Sequence, residues 1–302
     1  MTYILQQTLN ALQLGSIYAL IALGYTMVYG ILTMINFAHG DLFMVGAFFS
    51  FIVATFLLDI SGVIELAPWV LFVLTLVISM IGVGVLGVII ERLAYKPLRD
   101  APRVSAIITA LGVGIFLESI MLVIYPYPQA VPTLLPNVTW VVGGVTISSL
   151  KLIIIGLAIG LMLLLDFIVQ KTMVGMAMRA ISWDKTVVPL MGVPLNLVIS
   201  LTFFIGTSLG AAAGVMYAQA FPVIDPYMGI MIGWKAFISA VVGGIGNIRG
   251  AMIGGFILGA VEIMVAAFLP STYRDFIAFS LLLVLLIFRP YGILGKPRPQ
   301  KV

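Results

Sequence analysis

Polar side chains that could do chemistry are few in this sequence, and the densest group lies near the N-terminus. The run Met34–Asp41 places an amide, an imidazole and a carboxylate between two apolar segments. If those segments cross a bilayer, irregular backbone between them survives only at an interface, inside protein or beside a water-filled cavity. Asn36, His39 and Asp41 are therefore candidates for a substrate path built on a broken helix. The alternative is an interfacial turn in which Asp41 caps the next helix.

Two further carboxylates, Glu118 and Glu262, lie deep inside long apolar segments. Ionisable side chains inside a membrane are costly, which makes each of them a candidate for the substrate path. A structural hydrogen bond is the alternative for both. The chain has one histidine and no cysteine, which excludes a His-rich or thiolate metal site. No serine–histidine pair or paired-aspartate motif is recognisable either, so we predict no catalytic residue, no metal site and no enzyme.

The run 171–195 is a second polar segment, and it mixes charged residues with large apolar ones. Pro189 is suited to begin a short helix and Gly192 to end it, with Pro194 just beyond. An exposed helix of this composition favours a docking element whose Met and Leu side chains enter a groove of a soluble partner. The alternative is a loop whose apolar residues dip into the lipid headgroups.

Glycines mark a third segment, the run 243–250, which lacks the Lys-Ser or Lys-Thr pair of a phosphate-binding loop. The full Gly-x4-Gly-Lys-Ser/Thr pattern occurs nowhere in the chain, so we expect that the chain does not hydrolyse ATP itself. The run instead predicts a tight turn between two spans, with Arg249 on the inner side. Glycines four residues apart, at 206, 210 and 214, predict close helix packing in lipid.

The elements that must position these residues follow from composition. Of 302 residues, 62% are hydrophobic and 9% are charged, whereas soluble domains carry roughly a quarter charged residues. The excess apolar area must face lipid, which predicts an all-α polytopic membrane protein that forms one domain over residues 1–302. The net charge of +4 is better explained by loop topology than by nucleic-acid binding. No basic residue precedes Arg92, so no cleavable signal is evident and the first apolar segment should remain as a span.

Nine apolar segments have the length and composition of membrane-crossing helices, within a range of eight to ten. They are 9–29, 41–58, 67–90, 104–124, 151–169, 196–220, 230–247, 251–268 and 275–289. The proline-containing linker 125–150 separates the fourth segment from the fifth and predicts an irregular loop.

Eleven of the fifteen basic residues fall in three clusters between or after these segments. They are Arg92, Lys96, Arg99 and Arg103, then Lys171, Arg179 and Lys185, then Arg289, Lys296, Arg298 and Lys301. An even number of segments separates each cluster from the next, so all three can share one side, and basic loops are cytoplasmic. We therefore predict a cytoplasmic C-terminus and a periplasmic N-terminus.

Several short motifs follow one another along the whole chain. They are residues 15–30, 34–41, Glu91-Arg92, Arg179-Ala180, Asp184, residues 190–192, 243–246 and 290–295. Taken in this order, they resemble the permease subunits of bacterial branched-chain amino-acid ABC importers, in particular the shorter of the two paralogous permeases. The resemblance implies a bundle similar to that of ribose-type permeases, in the bacterial inner membrane.

The resemblance also implies partners that composition does not reveal. These are a second paralogous permease, two cytoplasmic ATPase subunits that hydrolyse ATP, and a periplasmic or surface substrate-binding protein. The segment 171–195 would be the ATPase-coupling loop. Its implied contact residues are Arg179, Asp184, Leu190, Met191, Gly192 and Pro194. Val188 and Pro189 stand where small residues are usual, which leaves the local helix geometry open.

The implied mechanism is alternating access along a path between two permeases, driven by ATP through the coupling loop. The implied substrates are leucine, isoleucine and valine, with no cofactor bound to this chain. Urea or short-chain amides, carried by close relatives, are the alternative of the same class. A channel or secondary transporter that works without an ATPase is the alternative of another class.

Overall fold

The computed structural model describes residues 2–61, 66–99 and 101–295, and it confirms an all-α polytopic fold. Ten α-helices lie within these ranges. They are α1 (Thr2–Leu32), α2 (His39–Ser61), α3 (Pro68–Ile90), α4 (Arg103–Ile124), α5 (Ser149–Lys171), α6 (Met173–Trp183), α7 (Leu195–Ala220), α8 (Met228–Gly243), α9 (Ile248–Phe268) and α10 (Tyr273–Phe288). One π-helical turn, Glu91–Tyr95, and one 3₁₀ turn, Lys96–Leu98, prolong α3 at its end.

All nine predicted apolar segments fall on helices. Among the described residues, seven helices are long and apolar enough to cross a membrane: α1, α2, α3 with its extension, α4, α5, α7 and α9. The other two, α8 and α10, have 16 residues each. Sixteen residues rise about 24 Å, less than the roughly 30 Å of a hydrocarbon core. The predicted count of nine crossings is therefore approximate.

Helices α1 and α7 form the centre of the bundle, because most of their residues are buried by the helices around them. Small residues let the backbones approach where helices pack in lipid. Gly206 of α7 faces Gly24 of α1, and Gly214 faces Phe43 and Ala47 of α2. The predicted close packing at this glycine repeat is thus confirmed.

One end of the molecule, here called the basic end, gathers residues 91–99, 166–196, 243–249 and 289–295. Lys185 Nζ donates to the carbonyl of Leu32 at the end of α1, at 3.1 Å. Arg99 donates to Asn196 at 2.6 Å, and Arg249 pairs with Asp166 at 3.0 Å. The described members of the three basic clusters therefore lie at one end, as the even segment counts predict. Lys296, Arg298 and Lys301 lie outside the described residues, as does the side chain of Arg103.

The opposite end, here called the hairpin end, gathers residues 2–10, 125–150, 220–227 and 267–272. Strands β2 (Thr139–Val142) and β3 (Val145–Ser148) form an antiparallel hairpin there. Strand β1 (Gln129–Ala130) pairs with β4 (Val223–Ile224). The linker 125–150 is therefore not a span, as predicted, but it contains more regular structure than the irregular loop that its prolines indicate.

Two predicted boundaries are wrong. The segment 9–29 is the middle of a longer helix, because polar residues near Thr2 lie at the hairpin end, where they can bond to Thr146 and other polar groups. The run 171–195 is not all loop, because α6 occupies its first half. Thr172 caps α6 by accepting a hydrogen bond from the Gly175 N–H at 3.2 Å. The amphipathic sequence of α6 then buries Gly175, Met178 and Ile181 and leaves the other side exposed.

Candidate functional site

The chain turns back on itself between α1 and α2. After Leu32, Thr33 has a φ of 57° and the following residues are irregular, until α2 begins at His39. The break thus covers residues 33–38, and α2 begins two residues before the predicted segment 41–58. His39 packs beside Gly24, eight residues before the end of α1, which corresponds to about 12 Å along that helix. Helix α2 therefore begins inside the protein and not at its surface.

Asn36 and His39, two of the predicted path residues, are enclosed by protein. The Asn36 Oδ1 atom accepts a hydrogen bond from the Tyr95 hydroxyl at 2.6 Å, and 1% of Asn36 is exposed. The His39 ring is fully buried and lies 4.9 Å from the Tyr25 ring, measured between centroids. Both side chains hold the start of α2 against its neighbours, and neither lines an open space in the described part of the chain.

Asp41 and Glu118 line one cleft between α1, the start of α2, α4 and α8. The cleft has a volume of about 140 Å³, and a single water needs roughly 10–15 Å³. It is partly open, because Leu111 and Ile115 on α4 remain exposed at its edge. Its walls are Tyr25, Phe37, Asp41, Leu111, Ile115, Glu118, Gly229, Ile230, Gly233, Trp234 and Phe237. The cleft is large enough for several waters or a small solute.

The Asp41 carboxylate fits between α4 and α8 because glycine stands at the contact positions. A Cβ at Gly229 would lie 2.7 Å from Asp41 Oδ1, and a Cβ at Gly114 would collide with Oδ2. Asp41 lies in the first turn of α2, and Gly229 is in the first turn of α8. The partial positive charges of two helix N-termini therefore act on this carboxylate. The capping interpretation and the path interpretation of Asp41 are compatible in this geometry.

Aromatic rings form one wall of the cleft. The Phe37 ring lies 5.4 Å from Trp234 and 5.7 Å from Phe237, and Tyr25 lies 6.0 Å from Phe237. Apart from Phe37, which stands in the polar run near the N-terminus, sequence reasoning missed these residues. Trp234 and Phe237 are three residues apart and therefore share one face of α8, a pattern that the sequence shows. The sequence does not indicate that this face lies beside Asp41.

Glu262, the fifth predicted path residue, is not part of the cleft. Its carboxylate accepts hydrogen bonds from the Tyr18 hydroxyl at 2.6 Å and from Lys235 Nζ at 2.9 Å. Lys235 also pairs with Asp275 at 2.8 Å. This network joins α1, α8, α9 and α10, and breaking a buried ion pair costs about 3–5 kcal/mol. Of the two alternatives, the geometry favours a structural hydrogen bond for Glu262.

The second half of the segment 171–195 forms an exposed knob at the basic end, defined here as residues 183–192. Asp184 Oδ1 accepts hydrogen bonds from the N–H of Thr186 at 2.9 Å and that of Val187 at 3.3 Å. A 3₁₀ helix, Val188–Met191, follows, with Pro189 in its first turn. Gly192 ends it with a left-handed φ of 79°. The predicted short helix is thus confirmed between the proline and the glycine.

Large apolar side chains project from this knob. The exposed fractions of Leu190 and Met191 are 85% and 78%, and that of Trp183 is 75%. Val188 is buried and holds the knob against the bundle. Met173 and Met176 of α6 are exposed as well.

Arg179 and Pro194, also predicted as coupling residues, make local structural contacts. Arg179 donates to the Val169 carbonyl in the last turn of α5, where unpaired carbonyls favour a cation. Pro194 immediately precedes α7 and supplies its N-cap position.

Comparisons with known proteins cover nearly the whole chain. Residues 7–286 match the family model of the permease component of branched-chain amino acid transport systems. The chain is 42% identical to the high-affinity branched-chain amino acid transport system permease protein LivH of Escherichia coli strain K12, with 99% of this chain and 98% of LivH covered. It is 42% identical to LivH of Salmonella typhimurium, with the same coverage. It is 43% identical to the permease protein BraD of Pseudomonas aeruginosa, with 99% and 98% covered.

The family model and relatives of this identity agree with the apolar helices of the bundle. They also agree with a transport protein and not with an enzyme. The chain belongs to the family of permease components of branched-chain amino acid transport systems.

Proposed function

We propose that this chain is a permease subunit of an ABC importer and forms half of the path by which branched-chain amino acids cross the inner membrane. The observation that carries the proposal is identity of 42% or more to LivH and BraD over practically the full length. Leucine, isoleucine and valine are the proposed substrates.

The cleft lined by Asp41 and Glu118 is the proposed part of the path in this chain. It lies beside the break between α1 and α2, where a helix begins inside the protein, and transporters bind solutes at such breaks. It opens past the exposed residues of α4, so a second permease packed there would close it. A change in the position of α4 would then expose the cleft to one side or the other, as alternating access requires.

The basic end is the proposed cytoplasmic side, because Lys and Arg accumulate in cytoplasmic loops. The hairpin end and the N-terminus are then periplasmic, facing a substrate-binding protein. Two ATPase subunits would dock at the basic end and supply ATP hydrolysis. The knob at residues 183–192 is the proposed contact, since its Leu and Met side chains project into water and fit an apolar groove.

Uptake of radiolabelled leucine by cells that express the whole importer tests this function. We expect uptake to be lost when the Walker lysine of the ATPase partner is replaced, with the permease still in the membrane. Uptake that persists would instead indicate an ATP-independent channel or secondary transporter. Competition with unlabelled valine and with urea or acetamide separates the two substrate classes, and we expect valine alone to compete.

A further inference from the structure

Asp41 lines the cavity with a buried carboxyl group, and one of its oxygens has no hydrogen bond. Only 7% of Asp41 is exposed, and its Oδ1 atom accepts no hydrogen bond from any other described residue. Leaving a buried acceptor unsatisfied is costly, and more so for a charged group. The cavity beside it is polar at this point and has room for a ligand. A cationic group in the cavity would lie beside this carboxyl group and compensate its charge.

Two carboxyl groups and two helix N-termini meet at this cavity. The N-termini of α2 and α8 meet at the carboxylate, and their dipoles stabilise a negative charge there. Glu118 is a second carboxylate on the wall of the same cavity. Apart from Asp41 and Glu118, the described residues that line the cavity are uncharged, so its wall supplies no cation to pair with these two carboxyl groups.

The aromatic wall is suited to the same kind of ligand. Phe37, Trp234 and Phe237 lie within 6.0 Å of one another, measured between ring centroids. The faces of aromatic rings attract ammonium groups, with Trp the strongest. The rings also offer apolar surface for a hydrocarbon side chain. Carboxylates at one wall and aromatic rings at another therefore match a small molecule with an ammonium group and an apolar tail.

We propose that Asp41, assisted by Glu118, binds the α-ammonium group of the transported amino acid, and that this contact excludes uncharged amides from the path. The proposal rests on the proposed function and adds a substrate-selecting site within the permease. A site that forms a hydrogen bond or ion pair with a polar group of the substrate strongly rejects an analogue that lacks this group. A site that discriminates by size alone rejects analogues much more weakly. The permease would thus select by charge, in addition to any selection by the substrate-binding protein.

Binding of tritiated leucine to the purified transporter, without its binding protein, tests this site. We expect competition by leucinol, which keeps the ammonium group and lacks the carboxylate. We expect 4-methylpentanamide, which has no ammonium group, to compete about tenfold more weakly or worse. Asp41→Asn should weaken leucine binding by about tenfold or more and abolish the preference for leucinol.

Two variants make the result interpretable. Glu118→Gln removes a charge from a half-buried side chain, and we expect several-fold weaker leucine binding with normal yield. Asp59→Asn removes an exposed carboxylate of α2 far from the cleft and should bind leucine like the unaltered transporter. Equal binding of leucine and 4-methylpentanamide, or no measurable leucine binding at millimolar concentration, would overturn the proposal. So would loss of the second permease from the Asp41→Asn complex, because Asp41 would then pair with a cation of that subunit.

ATP-driven leucine uptake, measured on the same preparation with the binding protein added, separates the two proposals. ATP-driven uptake by a transporter that binds leucinol and 4-methylpentanamide equally would refute the selecting site and leave the importer function intact. Absence of ATP-driven uptake in the unaltered transporter would refute the function itself.

Discussion

Asp41 shows how single residues build a cleft within an apolar bundle. Its carboxylate is accommodated only because Gly114 on α4 and Gly229 on α8 have no side chains. Glycine lowers helix stability by about 1 kcal/mol relative to alanine, so Gly114 in the middle of α4 indicates a need for space. At these two positions the space is occupied by a charged group that faces the proposed path.

Gly114→Ala tests that need for space. The new methyl group would collide with Asp41 Oδ2 and displace the carboxylate, so we expect leucine uptake to fall severalfold at an unchanged membrane level. Gly112→Ala is the matched control, since it lies on the same helix with no atom within 4 Å of the added Cβ. Uptake is measured in cells and normalised to permease abundance. Equal uptake by the two variants would mean that the position of Asp41 does not matter for transport.

At the scale of elements, the segment 171–195 is a helix followed by a turn, each held by specific contacts. Val188 is buried, while its neighbours Leu190 and Met191 are exposed. Val188 and Pro189 are compatible with a short helix, because Pro189 occupies the first turn of the 3₁₀ helix. The element therefore presents a small apolar surface on a fixed support.

Leu190→Asp tests the docking role of the knob. A carboxylate at the most exposed apolar position would have to be desolvated in the groove of an ATPase subunit, so we expect loss of co-purification with the ATPases. Insertion should be unaffected, because Leu190 is 85% exposed. Val223→Asp, at an exposed position of the hairpin end, is the control and should retain the ATPases. A complex that stays intact and active with Leu190→Asp would contradict the coupling assignment.

At the scale of the whole molecule, the loops sort into two ends that are held by contacts between residues far apart in sequence. Lys185 reaches Leu32 at the basic end, and Gln6 bonds with Thr146 at the hairpin end. An ion pair between Arg249 and Asp166 joins α9 to α5 at the basic end. These contacts fix which loops share a side, independently of any rule about charge.

Single-cysteine labelling tests the proposed orientation, and the chain is suited to it because it contains no cysteine. Val141→Cys, in the hairpin, should react with a membrane-impermeant maleimide applied from the periplasmic side. Leu190→Cys should react only after the inner membrane is permeabilised. Both positions are exposed, at 71% and 85%, so access depends on the side of the membrane when the permease is expressed without the ATPase subunits. Labelling of both from one side would refute the arrangement of the two ends.

The sequence by itself determined the membrane class, the nine apolar helices and the shared side of the basic clusters. These follow from local composition, because lipid requires apolar surface and complete backbone hydrogen bonding along each span. The turn at Pro189 and Gly192 was also predictable, since proline fixes its own φ angle and glycine readily adopts a positive φ at the end of a helix.

Only the tertiary structure decided which carboxylates meet. Asp41 and Glu118 share a cleft, whereas Glu262 is taken up by Tyr18 and Lys235, although the sequence presents Glu118 and Glu262 alike as charges in apolar runs. The depth at which α2 begins depends on how the chain folds back along α1, and that return is fixed by packing between helices. Such packing depends on residues far apart in sequence, so local sequence patterns do not predict it.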